Sequence, residues 1–345
     1  MIKKEVSPYD LVPNMKIAET ILNDYGSVVI MENTVLDEYL IKKLQNQNLS
    51  KIKVFEEKTN KSIIKTKEFF QQNYNEGIYE VKEIISELII DKDVKTEKVK
   101  KVVDSVINMA DEKMDLIRSM NQIRSSDEYL YTHSMNVAML SMLIGKWLKY
   151  EDKKLQALVQ AALLHDIGKI KVPLEILNKP GKLTDAEYEE MKKHSEYGYR
   201  MLEEKGNISM DICLAVLMHH EREDGSGYPI GAKSNRIHDF AKIIAVADIS
   251  DAMTSERVYK ERESPFEVFE LMEEKTIGQL SVEVVLTFLN NIASYYIGDL
   301  VMLDNGEVGE IVHINPRQVS KPIIKVKEKY LDLTVEKNIK IKHLI

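Results

Sequence analysis

The sequence predicts a mainly α-helical protein with a small mixed α/β unit at its N-terminus and a small β unit at its C-terminus. Apolar residues recur at three- and four-residue steps through the middle of the chain, the spacing of one helix face. The first and last stretches carry short alternating or β-branched runs bounded by Gly, Asn and Asp. Capping signals open several of the central segments.

Residues 1–57 form the first unit. Asn23-Asp24-Tyr25-Gly26 is a turn signal before the β-prone Ser27-Val28-Val29-Ile30. A helix is expected from near Asp37, with Tyr39, Leu40, Ile41 and Leu44 on its inner face, and Lys51-Ile52-Lys53-Val54-Phe55 alternates as a strand does. No cluster of ligand-type residues falls here, so the unit is read as regulatory or assembly-related, or as a plain structural extension. Residues 58–124 are charged and helical: Val81, Ile84, Ile85 and Leu88, then Val99, Val102, Val103, Val106, Met109 and Ala110, recur at helical spacing. This connection is either a homodimerising bundle or the first layer of the next domain's core, its heptads being too short and irregular to choose.

Residues 125–295 read as helices around 127–149, 152–165, 184–205, 209–220, 238–253, 265–275 and 281–295. Thr184 with Glu187 is a capping-box candidate after the turn-forming Lys179-Pro180-Gly181, and Ser264-Pro265 is an N-cap followed by proline at the first helical position. Over 296–345 the periodicity changes to Val301-Met302-Leu303, Gly309-Glu310-Ile311-Val312-His313 and Ile323-Ile324-Lys325-Val326, separated by turns such as Asp304-Asn305-Gly306, which predicts a small β domain.

Composition narrows the function. The net charge of −8 argues against a nucleic-acid polymer or an anionic membrane as partner, since either calls for a basic face. No apolar run approaches the roughly 18 residues of a membrane span. Pro8, Asp10, Pro13 and Asn14 follow directly on Met1–Glu5 where a signal peptide would be apolar, so a cytoplasmic location is expected. The single cysteine, Cys213, excludes an internal disulfide framework.

The chemistry lies in five of the eight histidines: His133, His165, His194, His219 and His220 all fall in the helical region. Ala162-Leu163-Leu164 ends in His165-Asp166-Ile167-Gly168-Lys169. There an imidazole and a carboxylate can share one cation while the second carboxylate oxygen bridges to another. The glycine is expected to let the backbone turn, and Lys169 to reach back towards an anion. His219-His220 closes Ala215-Val216-Leu217-Met218; neighbouring rings on a helix point about 100° apart, so both serve one metal only at a fraying helix end. Asp248 ends another buried run, Ile243-Ile244-Ala245-Val246-Ala247. A lone zinc would use about four donors, whereas these seven, with Asp166 as the bridge, suit a pair of iron or manganese ions. Such a pair holds a hydroxide between its ions, a nucleophile at neutral pH, and neutralises charge on a phosphoryl group in transfer.

Four separated motifs carry a resemblance. Tyr131-Thr132-His133-Ser134 with Val137-Ala138, His165-Asp166-Ile167-Gly168-Lys169, Lys179-Pro180-Gly181-Lys182-Leu183 with Met191-Lys192-Lys193-His194 and Gly198, and His219-His220-Glu221-Arg222-Glu223-Asp224-Gly225-Ser226-Gly227-Tyr228-Pro229 resemble, in order, the motifs of the HD-GYP family of metal-dependent phosphohydrolases. Ala247–Ser255 and Arg257-Val258-Tyr259-Lys260 continue the match.

The resemblance implies that His133, His165, Asp166 and Asp248 hold one metal and His194, His219, His220 and Asp166 the other. It implies cyclic di-GMP as substrate, hydrolysed to linear pGpG or GMP by the metal-bridging hydroxide. It places Lys169 beside the metals and Arg257 and Lys260 against the phosphates; those two are three residues apart and so share a helix face. Tyr228, on a turn made rigid by two glycines and a proline, is exposed to stack on or hydrogen-bond the nucleotide, or serves the turn alone. Asp224 and Asp251 are expected to orient ligands and loops. Where some relatives carry a glutamate for a third metal this chain has Tyr129, and Glu128 points elsewhere, so two metals are expected. Rival readings are a phosphodiesterase of another cyclic dinucleotide and a non-catalytic sensor of one. His238, His313 and His343 match no motif and are read as structural or surface residues.

Overall fold

The computed structural model describes residues 3–12, 15–22, 28–32, 34, 36, 38–45, 49, 51–55, 60–89, 96–109, 129–254, 264–275 and 278–345. They fall into two compact units, Met1–Glu68 and Phe69–Ile345.

The first unit contains β1 (Lys3–Val6), β2 (Lys16–Ile17), β3 (Ile21–Leu22), β4 (Val28–Ile30), α1 (Glu38–Gln45) and β5 (Ile52–Phe55). β5 is the middle of an antiparallel sheet of order β1-β5-β2, and β3 pairs with β4. Alternation along β5 turns Ile52 and Val54 inward, where they meet Ile17, Ile30, Ile41 and Leu44 in a core of their own. The turn expected at 23–26 and the helix start at Asp37 lie outside the described residues.

The helices that follow are α2 (Asn60–Ile89), α3 (Thr96–Met109), α4 (Tyr129–Trp147), α5 (Asp152–Leu164), α6 (Leu174–Leu177), α7 (Asp185–Lys192), α8 (His194–Lys205), α9 (Met210–Met218), α10 (Asp239–Thr254), α11 (Pro265–Lys275) and α12 (Val282–Ile292). α2 and α3 bury Val81, Ile84 and Ile85 of one expected stripe and Val99, Val102, Val103, Val106 and Met109 of the other; the Leu88 side chain and Ala110 lie outside the described residues. α4 and α10 are apolar on nearly every side, so they take the centre of the second unit, with α5, α9 and α12 packed around them. α2 comes so close to α4 that a side chain at Gly77 would run into Met135. Among the described residues, no helix is long and apolar enough to cross a membrane.

The helix expected over 184–205 is two helices. The capping box forms, with Glu187 N–H donating to Thr184 Oγ1 and Thr184 N–H to Glu187 Oε2, but α7 stops at Lys192 and α8 starts at His194. At the joint, the Lys193 N–H returns to the Glu190 carbonyl, 3.1 Å away. No glycine or proline marks this break, so periodicity gives no sign of it. The 3-10 helix Ile167–Lys171 packs its Gly168 on the backbone of α8, where any side chain at 168 would strike the His194 carbonyl and the Gly198 nitrogen. Gly168 is therefore required for close approach rather than for the turn expected of it; its φ is not positive.

The C-terminal strands are β6 (Leu300–Leu303), β7 (Val308–Asn315), β8 (Gln318–Val326), β9 (Lys329–Asp332) and β10 (Ile341–Leu344), in an antiparallel sheet of order β10-β6-β7-β8-β9. Gly306, at φ 86°, makes the tight turn between β6 and β7. Val301, Leu303, Ile311, Ile324 and Val326 point into the same core as the helices. Glu273 of α11 accepts from Val319 N–H at 2.7 Å and Ser320 Oγ at 2.5 Å, which ties β8 to the helical layer.

Candidate metal centre

Three histidines share one local device. The His165 Nδ1 lies 2.8 Å from the Ala162 carbonyl, the His194 Nδ1 2.7 Å from Met191 and the His219 Nδ1 2.7 Å from Val216, each three residues back. A carbonyl only accepts, so Nδ1 carries the proton and Nε2 is left with its lone pair. The chain folds this way because His165 and His219 each cap the C-terminus of an apolar helix, where the last carbonyls lack helical partners. His194 uses the equivalent carbonyl at the α7–α8 joint.

The free Nε2 atoms converge on Asp166, which is 2% exposed. Its Oδ1 lies 3.4 Å from His194 Nε2 and 3.9 Å from His219 Nε2; its Oδ2 lies 3.4 Å from His165 Nε2 and 3.6 Å from His133 Nε2. Asp248 Oδ1 is 3.2 Å from His133 Nε2. The donors fall into two groups, Asp166 with His194, His219 and His220, and His133 with His165 and Asp248, each with its atoms within 4.8 Å of one another. α9 ends at Met218, so His219 and His220 both lie past the helix and their rings meet at 4.0 Å. All seven candidate ligands stand together, and Lys169 Nζ lies 2.5 Å from Asp166 Oδ2.

These residues fit divalent cations. His165 Nε2 and Asp166 Oδ1 are buried with no hydrogen-bond partner, a costly state for polar atoms unless something else coordinates them. The His194 and His219 Nε2 lone pairs face each other at 3.3 Å, which is repulsive without a cation between them. The nitrogen and carboxylate donors suit divalent iron, manganese or zinc.

Electrostatics divide the histidines. Burial pushes His194 down to about 4, against the attraction of Asp166, and His220 down to about 3, against Asp248. Burial likewise lowers His219, helped by the neighbouring imidazoles. His133 goes the other way: burial opposes its charge, but hydrogen bonds with Asp248 and Asp251 overcome it and raise the ring to about 9. Asp166 and Asp248 stay ionised well below the usual carboxylate range; burial opposes this, and Lys169 with His165 for Asp166, and His133 for Asp248, outweigh it.

The loop after His220 folds back over it. The Tyr228 ring lies 4.7 Å from that of His220 at 30°, and Gly227 packs on the Glu221 and His220 backbone with no space for a side chain. Tyr228 is therefore half-buried beside the donors rather than free in solvent, and burial keeps its hydroxyl protonated. Glu221, not singled out in the sequence, is 3% exposed and accepts N–H groups from Ile230 at 2.7 Å, Gly231 at 3.1 Å and Ala232 at 2.9 Å, closing the loop. Asp251 Oδ2 takes the His133 Nδ1–H at 2.7 Å, while Asp224 accepts the Ser226 N–H at 2.8 Å within its own turn. Asn136, also unremarked in the sequence, donates to Asp251 Oδ1 at 2.8 Å; it follows His133 by three residues on α4, and that spacing is the signal that was available. Arg257, Lys260 and Glu128 lie outside the described residues. His238 accepts the Phe240 N–H at the start of α10, and His313 and His343 sit on β7 and β10; none of the three belongs to the donor groups.

The family model described as "HD domain" matches residues 104–277. The chain is 38% identical over 208 residues to the cyclic di-GMP phosphodiesterase PA4108 of Pseudomonas aeruginosa, covering 60% of this chain and 50% of that protein. It is 38% identical over 179 residues to a cyclic di-GMP phosphodiesterase of Thermotoga maritima, 52% of this chain and 48% of the other. Against the 3'3'-cGAMP-specific phosphodiesterase 1 of Vibrio cholerae it is 36% identical over 177 residues, 51% and 41%. The chain thus matches about half the length of these curated relatives. Among solved structures, Bd1817, an HDG"Y"P protein from Bdellovibrio bacteriovorus, superposes with a TM-score of 0.53 over 85% of this chain and 100% of that one; at 18% identity the likeness is one of fold.

Proposed function

The chain belongs to the HD-domain family, in its HD-GYP branch, and from that premise we propose that it is a metal-dependent phosphodiesterase that hydrolyses cyclic di-GMP to linear pGpG or GMP. The observation that carries this reading is Asp166, whose two oxygens face two separate groups of imidazoles, with lone pairs left buried and unpartnered between them. His133, His165, Asp166 and Asp248 would hold one divalent ion and His194, His219, His220 and Asp166 a second, iron or manganese. Such ions lower the pKa of bound water and neutralise phosphoryl charge.

The chain's own side chains supply the rest. Burial holds His194, His219 and His220 neutral, with lone pairs available at physiological pH. Lys169 Nζ, already against Asp166, sets a positive charge where non-bridging phosphate oxygens would lie. Tyr228 keeps its proton and can donate it in a hydrogen bond to the nucleotide. Arg257 and Lys260 bind the phosphates. The catalytic domain spans 125–295, with 1–57, 58–124 and 296–345 as a regulatory unit, a helical connection whose apolar stripes join the catalytic core, and a β unit.

A second substrate has support too: identity to the 3'3'-cGAMP-specific relative is close to that of the cyclic di-GMP enzymes, so another cyclic dinucleotide is the rival. The complete donor set speaks against a sensor that binds without cutting. The test is elemental analysis of anaerobically purified protein, coupled to chromatography of products from cyclic di-GMP and from 3'3'-cGAMP in parallel. About two metals per chain and release of pGpG or GMP are expected; faster cleavage of the mixed dinucleotide would reassign the substrate. Metal-loaded protein that cuts neither would leave the sensor.

A further inference from the structure

We propose that Tyr74, on α2, is a positioning residue for the metal centre, acting through Asn136 and Asp251 on His133. Its hydroxyl donates to Asn136 Oδ1 at 2.7 Å, Asn136 Nδ2 donates to Asp251 Oδ1 at 2.8 Å, and Asp251 Oδ2 accepts from His133 Nδ1 at 2.7 Å. Tyr74, Asn136, Asp251 and His133 are all at most 2% exposed, so water does not substitute for any link. Tyr74 lies well before residue 104, where the family match begins, and the proposal rests on the metal-centre reading above.

Each link has a fixed direction. The Asp251 carboxylate can only accept, so it keeps a proton on His133 Nδ1 and turns the Nε2 edge of the ring towards Asp166 and Asp248. An asparagine amide is nearly symmetric in shape but not in chemistry. With the Tyr74 O–H on its oxygen, Asn136 must present its N–H group to Asp251; flipped, it would aim its oxygen at a carboxylate. The carboxylate thus decides which way the amide faces, and the Tyr74 hydroxyl, donating to the amide oxygen, anchors Asn136 in that orientation and through it steadies Asp251 and the imidazole. Gly77, one turn further along α2, lies against the Met135 side chain of α4.

The test is manganese(II) affinity of metal-stripped, full-length protein, measured by chelator competition, with circular dichroism on the same samples. Asp251→Asn is expected to weaken binding about 10- to 100-fold and Tyr74→Phe about 10-fold, the range for removing a partner of a metal-ligating histidine. In the Asp251→Asn background, Tyr74→Phe should change nothing further, because its effect passes through that carboxylate. Wild-type affinity in Tyr74→Phe, or the same fold-loss in both backgrounds, would overturn the proposal and leave Tyr74 as packing. Wild-type protein that binds neither manganese(II) nor, under anaerobic conditions, iron(II) would instead overturn the metal-centre reading, and this proposal with it.

Discussion

His165, His194 and His219 each fix their ring on a carbonyl three residues back, whereas His133 is fixed by Asp251, 118 residues away, in a chain of side chains that reaches α2. In His194 and His219 this leaves the ring neutral, because a carbonyl adds no charge and burial dominates. The long-range device surrounds His133 with carboxylates, so the same degree of burial yields a ring that holds its proton. One buried centre thus presents two kinds of imidazole, and Asp166 is the atom group they share.

That contrast can be broken at its joint first. Asp166→Ala removes the oxygens facing both groups; metal content should fall from about two ions to none and turnover should become undetectable, as read by elemental analysis and product chromatography. Loss of a single ion would show the two sides to be independent. Lys169→Ala, which alters only the Oδ2 side, should keep its metal and slow turnover about 10²-fold, the scale for losing a transition-state charge partner. An unchanged rate would remove Lys169 from the chemistry.

Glu221→Ala tests the loop over His220. Three N–H groups, that of Ala232 buried, would lose their acceptor, which should lower unfolding stability by about 2 kcal/mol in denaturant titration; an unaltered midpoint would mean the loop is held by Gly227 packing and the Tyr228 stack. The smallest effect sharpens the contrast most directly. In chelator-treated protein, His194 and His220 have folded pKa values of about 4 and about 3 against 6.5 ordinarily, so the unfolded chain binds protons first as pH falls. Their contribution is complete above pH 6.5 and declines as pH drops towards 4 and 3. His133, at about 9, has the opposite sign: its contribution is present below 6.5 and is lost as pH rises through 9. Denaturation midpoints across pH should show both limbs, and His133→Gln should flatten the alkaline one alone.

Much of the site was legible because its signals are short in sequence. His165-Asp166 and His219-His220 end apolar runs, and a helix end supplies both the spare carbonyl and the freedom for two adjacent rings to face one ion. The helix stripes of α2 and α3, the Thr184–Glu187 box and the alternation of β5 are likewise local patterns, set by 3.6- and 2-residue periods. The break at Lys193 was not legible, because no glycine or proline stands at the joint, and the packing of Gly168 on the His194 carbonyl brings together residues on separate elements.

The sequence by itself thus determined the donor types and their helical setting, since each depends on neighbours within a few residues. Tertiary structure alone decided which oxygen of Asp166 faces which group, that Glu221 closes the Tyr228 loop, and that Tyr74 stands behind His133. The physical reason is range: hydrogen bonds between side chains reach about 3 Å, and residues tens to more than a hundred positions apart meet at that distance only once α2, α4 and α10 have packed.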